Sequence, residues 1–428
     1  MTSHSAAPRR LLGFRLLAVI LTGLACLLAA ELFLRLVPSA LPADYRSTFP
    51  LRGIELFNRG VLARTPIDGV PIPYRFGPQQ DFYSGPPNGL QALGLVAPRD
   101  NPDESRYSNI HFRIDRRGLP NPLEIEAADV LLVGDSFTGG LGALSPAGLQ
   151  QRLQEATGAP IFNLGIPSIG AQREAWLLRE VGLALEPRAV IWFFFGGNDL
   201  ADARAVERHR QNGINTHADL FPDFAWPRSF VVDLARHKFA RSSQTTDPAE
   251  PVDRSMPGFI YPASDGPRPV WFYPAYLREM TRTGESLAAD RGWALSRDVL
   301  QRIDETLRQR STRWLVVYVP SKPEVYLSRV AEDPPLAFRM ASFGASDPVA
   351  SSAQEFWQLA LERRGQLETL LGNFCAEQGI DFLSLTPYLE QLADAGQLGY
   401  FSADSHWNEI GQGAALDPLV EWLTVAAP

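Results

Sequence analysis

Residues 129–140, "DVLLVGDSFTGG", decide how this chain folds. An uninterrupted apolar run, 130–133, stops at Gly134, Asp135 and Ser136. Continuous rather than alternating hydrophobicity suits a short strand covered on both faces. The stop admits two readings. Gly, Asp and Ser are turn and N-cap residues, so an ordinary strand-to-helix turn would use them. The other reading displays a reactive serine at the C-terminal edge of a sheet. There the N-terminal dipole of the following helix would favour developing negative charge.

Four more runs of this kind follow: "PIFNLG" (160–165), "AVIWFFFGG" (189–197), "RWLVVYVP" (313–320) and "IDFLSL" (380–385). Helical patterns lie between them at 145–158, 171–187, 296–311 and 351–379. Strands alternating with helices predict an α/β fold around a parallel, doubly wound sheet. Residues 201–294 break the alternation with a Pro- and Ser-rich stretch of weak periodicity. A long insertion is expected there, partly helical and partly loop.

In open α/β sheets ligands bind beyond the carboxyl ends of the strands. The first run is followed by Gly134-Asp135-Ser136, the second by Asn163 to Gly170, and the third by Gly196-Gly197-Asn198-Asp199. The fourth leads to Ser321-Lys322, and the fifth, further on, to "FSADSHWNEIGQG" with Asp404 and His406. Each piece has a plain reading. Asn198-Asp199 suits a turn, His406 a buried histidine bonded to a carbonyl, and Asp404 the cap of a helix beginning near Glu409. Together they are the parts that nucleophilic catalysis at serine requires. Ser136 is a weak nucleophile at neutral pH and needs a base, which His406 supplies. Asp404, two residues away, reaches the other imidazole nitrogen. Ser136 N–H, a backbone N–H near Ser168 and the Asn198 side-chain amide are the candidate oxyanion donors. Asp135, Lys322, Gly165 and Gly170 are candidate supporting residues. Glycines at 134, 165, 170, 196 and 197 are expected to let backbone approach the substrate closely.

"GDSFTGG", "NLGIPSIG", "GGND" and "DSHWN" resemble, in order, the four sequence blocks of the SGNH (GDSL-type) hydrolase superfamily. The resemblance implies a three-layer α/β/α sandwich (flavodoxin-like) around a five-stranded parallel sheet. Two positions depart from the usual pattern. Many members carry glycine where Ser168 stands, and the common final block is Asp-x-x-His. The shorter Asp-x-His-Trp pattern is similar to the subgroup containing the alginate O-acetylation proteins, as is "VYVPSKPEVY" after the fourth strand. The implied activity is serine-dependent hydrolysis of acyl esters, short-acyl or carbohydrate O-acetyl, through an acyl-enzyme and without cofactor or metal. The substrate would be an acylated glycan or lipid. The alternative is O-acyl transfer to an exported glycan, which would bring in a membrane acyl-donor partner.

The amino terminus is of another kind. "PRRLLGFRLLAVILTGLACLLAAELFLRLV" carries Arg9, Arg10 and Arg15, then runs uncharged from Leu16 to Ala30. Three readings compete: an uncleaved signal anchor, a cleaved signal peptide and a buried soluble helix. Apolar residues resume after Ala29-Ala30, so a cleavage site is poorly defined. A lipoprotein site at Cys26 fails for the same reason. The anchor is preferred, with residues 1–10 cytoplasmic, 11–37 crossing the bilayer and the remainder outside, as the basic flank dictates. A juxtamembrane segment, 38–127, is expected to pack on a catalytic domain at 128–428. Cys26 and Cys375 form no disulfide framework.

Composition narrows the class. Hydrophobic content of 45% with 21% charged residues suits a folded core. A net charge of −8 and the lack of basic, aromatic-interleaved stretches argue against nucleic-acid binding. A two-metal phosphoesterase needs several strand-end histidines, and only His406 of the six lies in such a motif. A membrane-anchored binding domain that keeps the fold without turnover is the non-enzymatic alternative.

Overall fold

The computed structural model describes residues 7–36, 80–84, 89–97, 100–103, 110–115, 117, 119–121, 125–139, 148–167, 169–212, 231 and 255–425. Ser168, most of 38–127 and most of the first half of the 201–294 insertion lie outside the described residues. The chain divides into two compact units, Met1–Leu62 with Phe221–Val252, and Ala63–Leu220 with Asp253–Pro428.

In the first unit, α1 (Ala7–Leu36) is a 30-residue helix. Its stretch Gly13–Phe33, mean hydropathy 2.4, is long and apolar enough to cross a membrane. Consecutive side chains from Leu16 to Leu21 are exposed, so the apolar surface runs around the helix rather than along one stripe. A soluble surface helix would show a polar face instead.

The second unit is built on five strands: β3 (Val130–Val133), β4 (Ile161–Asn163), β5 (Ala189–Phe195), β8 (Arg313–Val319) and β9 (Asp381–Ser384). All pair in parallel, in the order β4-β3-β5-β8-β9. Taken in chain order this is 2-1-3-4-5, the flavodoxin-like arrangement, with its switch point between β3 and β5. All five predicted strands therefore form, within two residues of their expected ends.

The unbroken apolar runs are explained by two cores, one on each sheet face. Ile191, Phe193 and Phe195 of β5 enter the first core; Val190, Trp192 and Phe194 enter the second. The period is the two-residue alternation of a strand, but with an apolar residue on both sides. Against the first face pack α3 (Leu149–Thr157), α10 (Pro334–Ser342), α11 (Ala353–Arg363) and α15 (Leu416–Val425), through Leu153, Met340, Phe356 and Leu419. Against the second pack α4 (Gly170–Leu177), α8 (Arg291–Gln309) and α12 (Gln366–Gln378), through Ala175, Leu300 and Leu371. This is the three-layer sandwich.

Several elements differ from expectation. The pattern at 351–379 is two helices, because Gly365 adopts φ 79° and breaks the run. Past Leu177 the next helix passes into a π turn, Leu178–Gly182, and a 3-10 turn, Leu183–Leu185. The helical pattern at 145–158 forms a helix from Leu149 to Thr157, so its N-terminus does not lie at Ser136. Asp135–Gly139 is instead a single turn closed by Gly139 N–H on Asp135 O, 2.8 Å. The insertion opens as α5 (Asp199–Gln211) and further on, ahead of its last helices, forms a hairpin, β6 (Phe259–Ala263) and β7 (Gly266–Val270), in place of loop. Its sequence signal was present: the Asp265-Gly266 step between the two runs, of which β6 begins with alternating buried and exposed residues. The remaining helices are α6 (Pro274–Glu279), α7 (Gly284–Ala288), α9 (Lys322–Tyr326), α13 (Thr386–Asp394) and α14 (Glu409–Ala414). Ahead of the sheet, β1 (Gln80–Ser84) and β2 (Ile110–Ile114) form an antiparallel pair, and α2 (Gly89–Ala92) lies between them.

Candidate active site

At the carboxyl edge of β3, Gly134 adopts φ 151°, where a Cβ would fall 2.2 Å from Thr138 Oγ1. Only glycine allows the chain to turn this sharply between Val133 and Asp135. The turn presents Ser136, which is 6% exposed. Its Oγ lies 2.8 Å from His406 Nε2, and His406 Nδ1 lies 2.5 Å from Asp404 Oδ1. The three side chains expected to act together are brought together across 270 residues of sequence. Asp135 Oδ2 is a second acceptor for the serine hydroxyl, but at 3.4 Å it is the weaker one. Its other oxygen takes Phe137 N–H at 2.9 Å, so Asp135 serves the turn.

Asp404 is held on both oxygens. Oδ1 also accepts His406 N–H at 2.9 Å, and Oδ2 accepts Gly89 N–H at 2.8 Å. Burial pushes this carboxyl up, but the His406 charge, the His406 hydrogen bonds and Gly89 N–H outweigh it, leaving it below its ordinary value. Burial pulls His406 down, and Asp404 overcomes that, with help from Asp135 and against Lys322, so the imidazole titrates above its ordinary 6.5. An ionised Asp404 beside His406 fixes the tautomer that leaves Nε2 free to accept the serine proton.

Asp404 does not cap the next helix. That work belongs to Asn408, whose Oδ1 accepts Ile410 N–H and Gly411 N–H while its Nδ2 donates to Leu398 O and Tyr400 O. Trp407, fully buried, donates its indole N–H to Phe137 O at 3.1 Å, and so ties the histidine loop to the serine turn. Phe137 in turn stacks on Phe195, ring centroids 3.7 Å apart.

The other expected residues are placed as follows. Asn198 sits at the start of α5 with its Nδ2 donating to Asp202 Oδ2 at 2.9 Å; Oδ1 is buried without a partner. The Asn198 side chain also hydrogen-bonds to the Asp135 carboxyl, acting against the rise that burial causes there. Gly165 packs against Gly139, where a Cβ would fall 2.2 Å from Gly139 N, and Gly170 packs with φ 65° against Asp202 and Ala203. At Gly196 and Gly197 the same space is taken by Tyr318 and Phe195. These glycines therefore bring the protein's own loops together rather than opening room for substrate. Lys322, fully buried, donates to the carbonyls of Phe401 (3.0 Å), Ser402 (3.1 Å) and Asp404 (2.5 Å).

Three contributors, Gly89, Asp103 and Trp271, carried no local signal. Gly89 is 315 residues from Asp404, and Asp103, which accepts Ser402 N–H and Ala403 N–H, is about as far. Trp271 of the insertion donates N–H to Ser402 O. Asn163 bonds Thr138 O and Gly165 N–H, joining the first two blocks. Behind the site lie four carboxyls, Asp135, Glu174, Asp199 and Asp202, all raised chiefly by burial. Among the described residues no group of three or more His, Cys, Asp and Glu is arranged to hold a metal ion.

No curated protein sequence matches the chain. Solved structures similar to it include the extracellular lipase of Streptomyces rimosus (11% identity, 70% of this chain and 100% of that one, TM-score 0.36). Phospholipase A1 of Streptomyces albidoflavus NA297 (13%, 69% and 99%, 0.36) is another. A third is a catalytic mutant of an acetylxylan esterase of Geobacillus stearothermophilus (10%, 71% and 97%, 0.32). A model of the GDSL-like Lipase/Acylhydrolase family matches residues 132–414, which run from the end of β3 through β9 and include the Ser136, Asp404 and His406 positions. The chain belongs to the GDSL-like lipase/acylhydrolase family.

Proposed function

We propose that this acylhydrolase is a serine esterase that works through an acyl-enzyme and takes short acyl esters, in particular O-acetyl groups of a glycan, outside the cytoplasmic membrane. The observation that carries the reading is the hydrogen-bonded row Ser136–His406–Asp404, at 2.8 and 2.5 Å. His406 takes the serine proton as Oγ forms its bond to the ester carbonyl carbon. Ser136 N–H, the Asn198 side-chain amide and a backbone N–H near Ser168 are the donors we assign to the oxyanion. When the tetrahedral intermediate collapses, the alcohol leaves with the proton from His406. Water, deprotonated by the same imidazole, then releases the acid. The preference for short acyl groups is supported by the low exposure of Ser136 and by the next residue, Phe137, whose ring packs on Phe195, Trp407 and the His406 imidazole. The location is supported by α1 and by the arginines that precede its apolar stretch.

The test uses the full chain in detergent, with a series of aryl esters of increasing acyl length and with acetylated oligosaccharides. Cleavage that is fastest for acetyl esters is expected, together with labelling by a serine-directed phosphonate at Ser136 alone. Ser136→Ala should remove both. Retained cleavage in Ser136→Ala, or labelling elsewhere, sinks the reading. Transfer of acetyl to an added glycan in preference to water would make the protein an acyltransferase with the same acyl-enzyme.

A further inference from the structure

The turn that carries Asp404 is gripped by two buried, oppositely charged side chains. Lys322, at the start of α9, spends all three of its N–H donors on the carbonyls of Phe401, Ser402 and Asp404. Asp103, which lies ahead of the family core, spends both carboxylate oxygens on the N–H groups of Ser402 and Ala403. The neighbouring Gly89 N–H adds the bond to Asp404 Oδ2. Lys322 is 0% exposed and Asp103 3%. Burying a cation and an anion is costly, and neither is needed merely to close a turn, which neutral donors and acceptors can do.

We propose that Lys322 and Asp103 are positioning residues of the reaction, fixing Asp404 against His406 from a carbonyl side and an amide side, and that the chain ahead of the core is thereby part of the active site. This rests on the reading of Ser136, His406 and Asp404 as the catalytic triad. The arrangement has an electrostatic consequence. The charged groups facing His406 are Asp404 from its own loop, Asp135 from the turn after β3 and Lys322 from α9; Lys322 itself faces Asp404 and Asp103. Tyr276 of α6 faces Asp135 and Asp404 and is held neutral by burial. Among these the Lys322 cation alone opposes protonation of His406. It therefore keeps the imidazole available as a base at lower pH than Asp404 and Asp135 alone would allow. Burial lowers Lys322 to about 7, with Asp404 and Asp103 acting to keep it charged.

The experiment measures kcat, KM and the pH profile of acetyl-ester cleavage for the full chain, from about pH 5 to about pH 9. Melting curves check each variant for folding. Lys322→Met should lower kcat by on the order of 10-fold to 100-fold through misplacement of Asp404. Its acid limb should move to higher pH. Asp103→Asn keeps the size of the side chain and should lower kcat with little change in KM, since the residue holds the acid and not the substrate. A structural role alone would lower the melting temperature of Lys322→Met without moving its acid limb, and that result overturns the proposal. Should Lys322→Met fail to fold, Asp103→Asn decides: a folded variant with wild-type kcat, or with its loss confined to KM, overturns it. Ser136→Ala runs alongside; activity there removes the triad and this proposal together, whereas an inactive Ser136→Ala beside unaffected positioning variants removes this proposal alone.

Discussion

Asp404 is the residue whose replacement separates orientation from packing. Asp404→Asn keeps the size of the side chain but presents a neutral group to His406 Nδ1, which no longer selects the tautomer with Nε2 free. The expected loss in kcat is on the order of 10^4-fold, with a near-normal melting curve, in a steady-state assay of the purified variant. The pH profile carries a sign. Activity needs neutral His406, so kcat/KM rises with pH through a value above 6.5 in the wild type. Removing the Asp404 charge lets burial dominate, and the acid limb moves to lower pH. That is opposite to the shift expected for Lys322→Met. Asn198 is a second single-residue test. Asn198→Ala should raise the barrier by roughly 3 kcal/mol, read from kcat/KM, while the melting temperature changes little. A large melting shift with unchanged kcat/KM would instead assign the amide wholly to Asp202.

Between elements, the weight falls on joints that tie one loop to another. Trp407→Phe keeps most of the buried ring but deletes the indole donation to Phe137 O. About 1 kcal/mol of stability should go with that bond, measured as a lower urea midpoint at constant slope. Turnover should fall by more than the folded fraction does, because the turn bearing Ser136 is no longer pinned to the loop bearing His406. The Gly139–Gly165 contact works similarly: the first and second blocks meet backbone to backbone, with no space for a Cβ at Gly165 and only a tight fit for one at Gly139.

For the whole molecule, the carboxyls behind the sheet edge tie stability to pH. Half-buried Asp202 titrates at about 7 in the folded chain against 3.8 when unfolded, raised first by burial and then by Asp135. Between those values the folded state holds a proton that the unfolded state has released. Its contribution to stability is therefore fully present below 3.8, is lost progressively as pH rises, and levels off above about 7. The difference in melting temperature between Asp202→Asn and wild type should grow in favour of the variant across that window; a constant difference refutes it. Topology is tested on the same scale. A reporter fused after Gly60 and active only in the cytoplasm should stay silent, because the basic flank keeps the amino terminus inside.

What the sequence determined by itself is local. Five apolar runs became five parallel strands, since a strand buried on both faces needs only a few adjacent apolar residues and a turn signal at its end. The polar residues after those strands were legible for the same reason, and Ser136, Asn198, Asp404 and His406 all lie at the predicted edge. The hairpin at 259–270 was legible too, in an Asp-Gly step that the surrounding Pro-rich composition obscured. Tertiary structure decided the rest. Which of Asn408 and Asp404 caps α14 depends on where the loop is free to send each side chain. Whether glycines face a substrate or another loop depends on which turn packs opposite, as Gly139 does on Gly165. Gly89 and Asp103 enter the site only because chain closure across some three hundred residues lays them on Asp404 and its neighbours. Periodicity reports what a dozen residues prefer, but a contact at that separation is fixed by packing of the whole unit, and no local pattern records it.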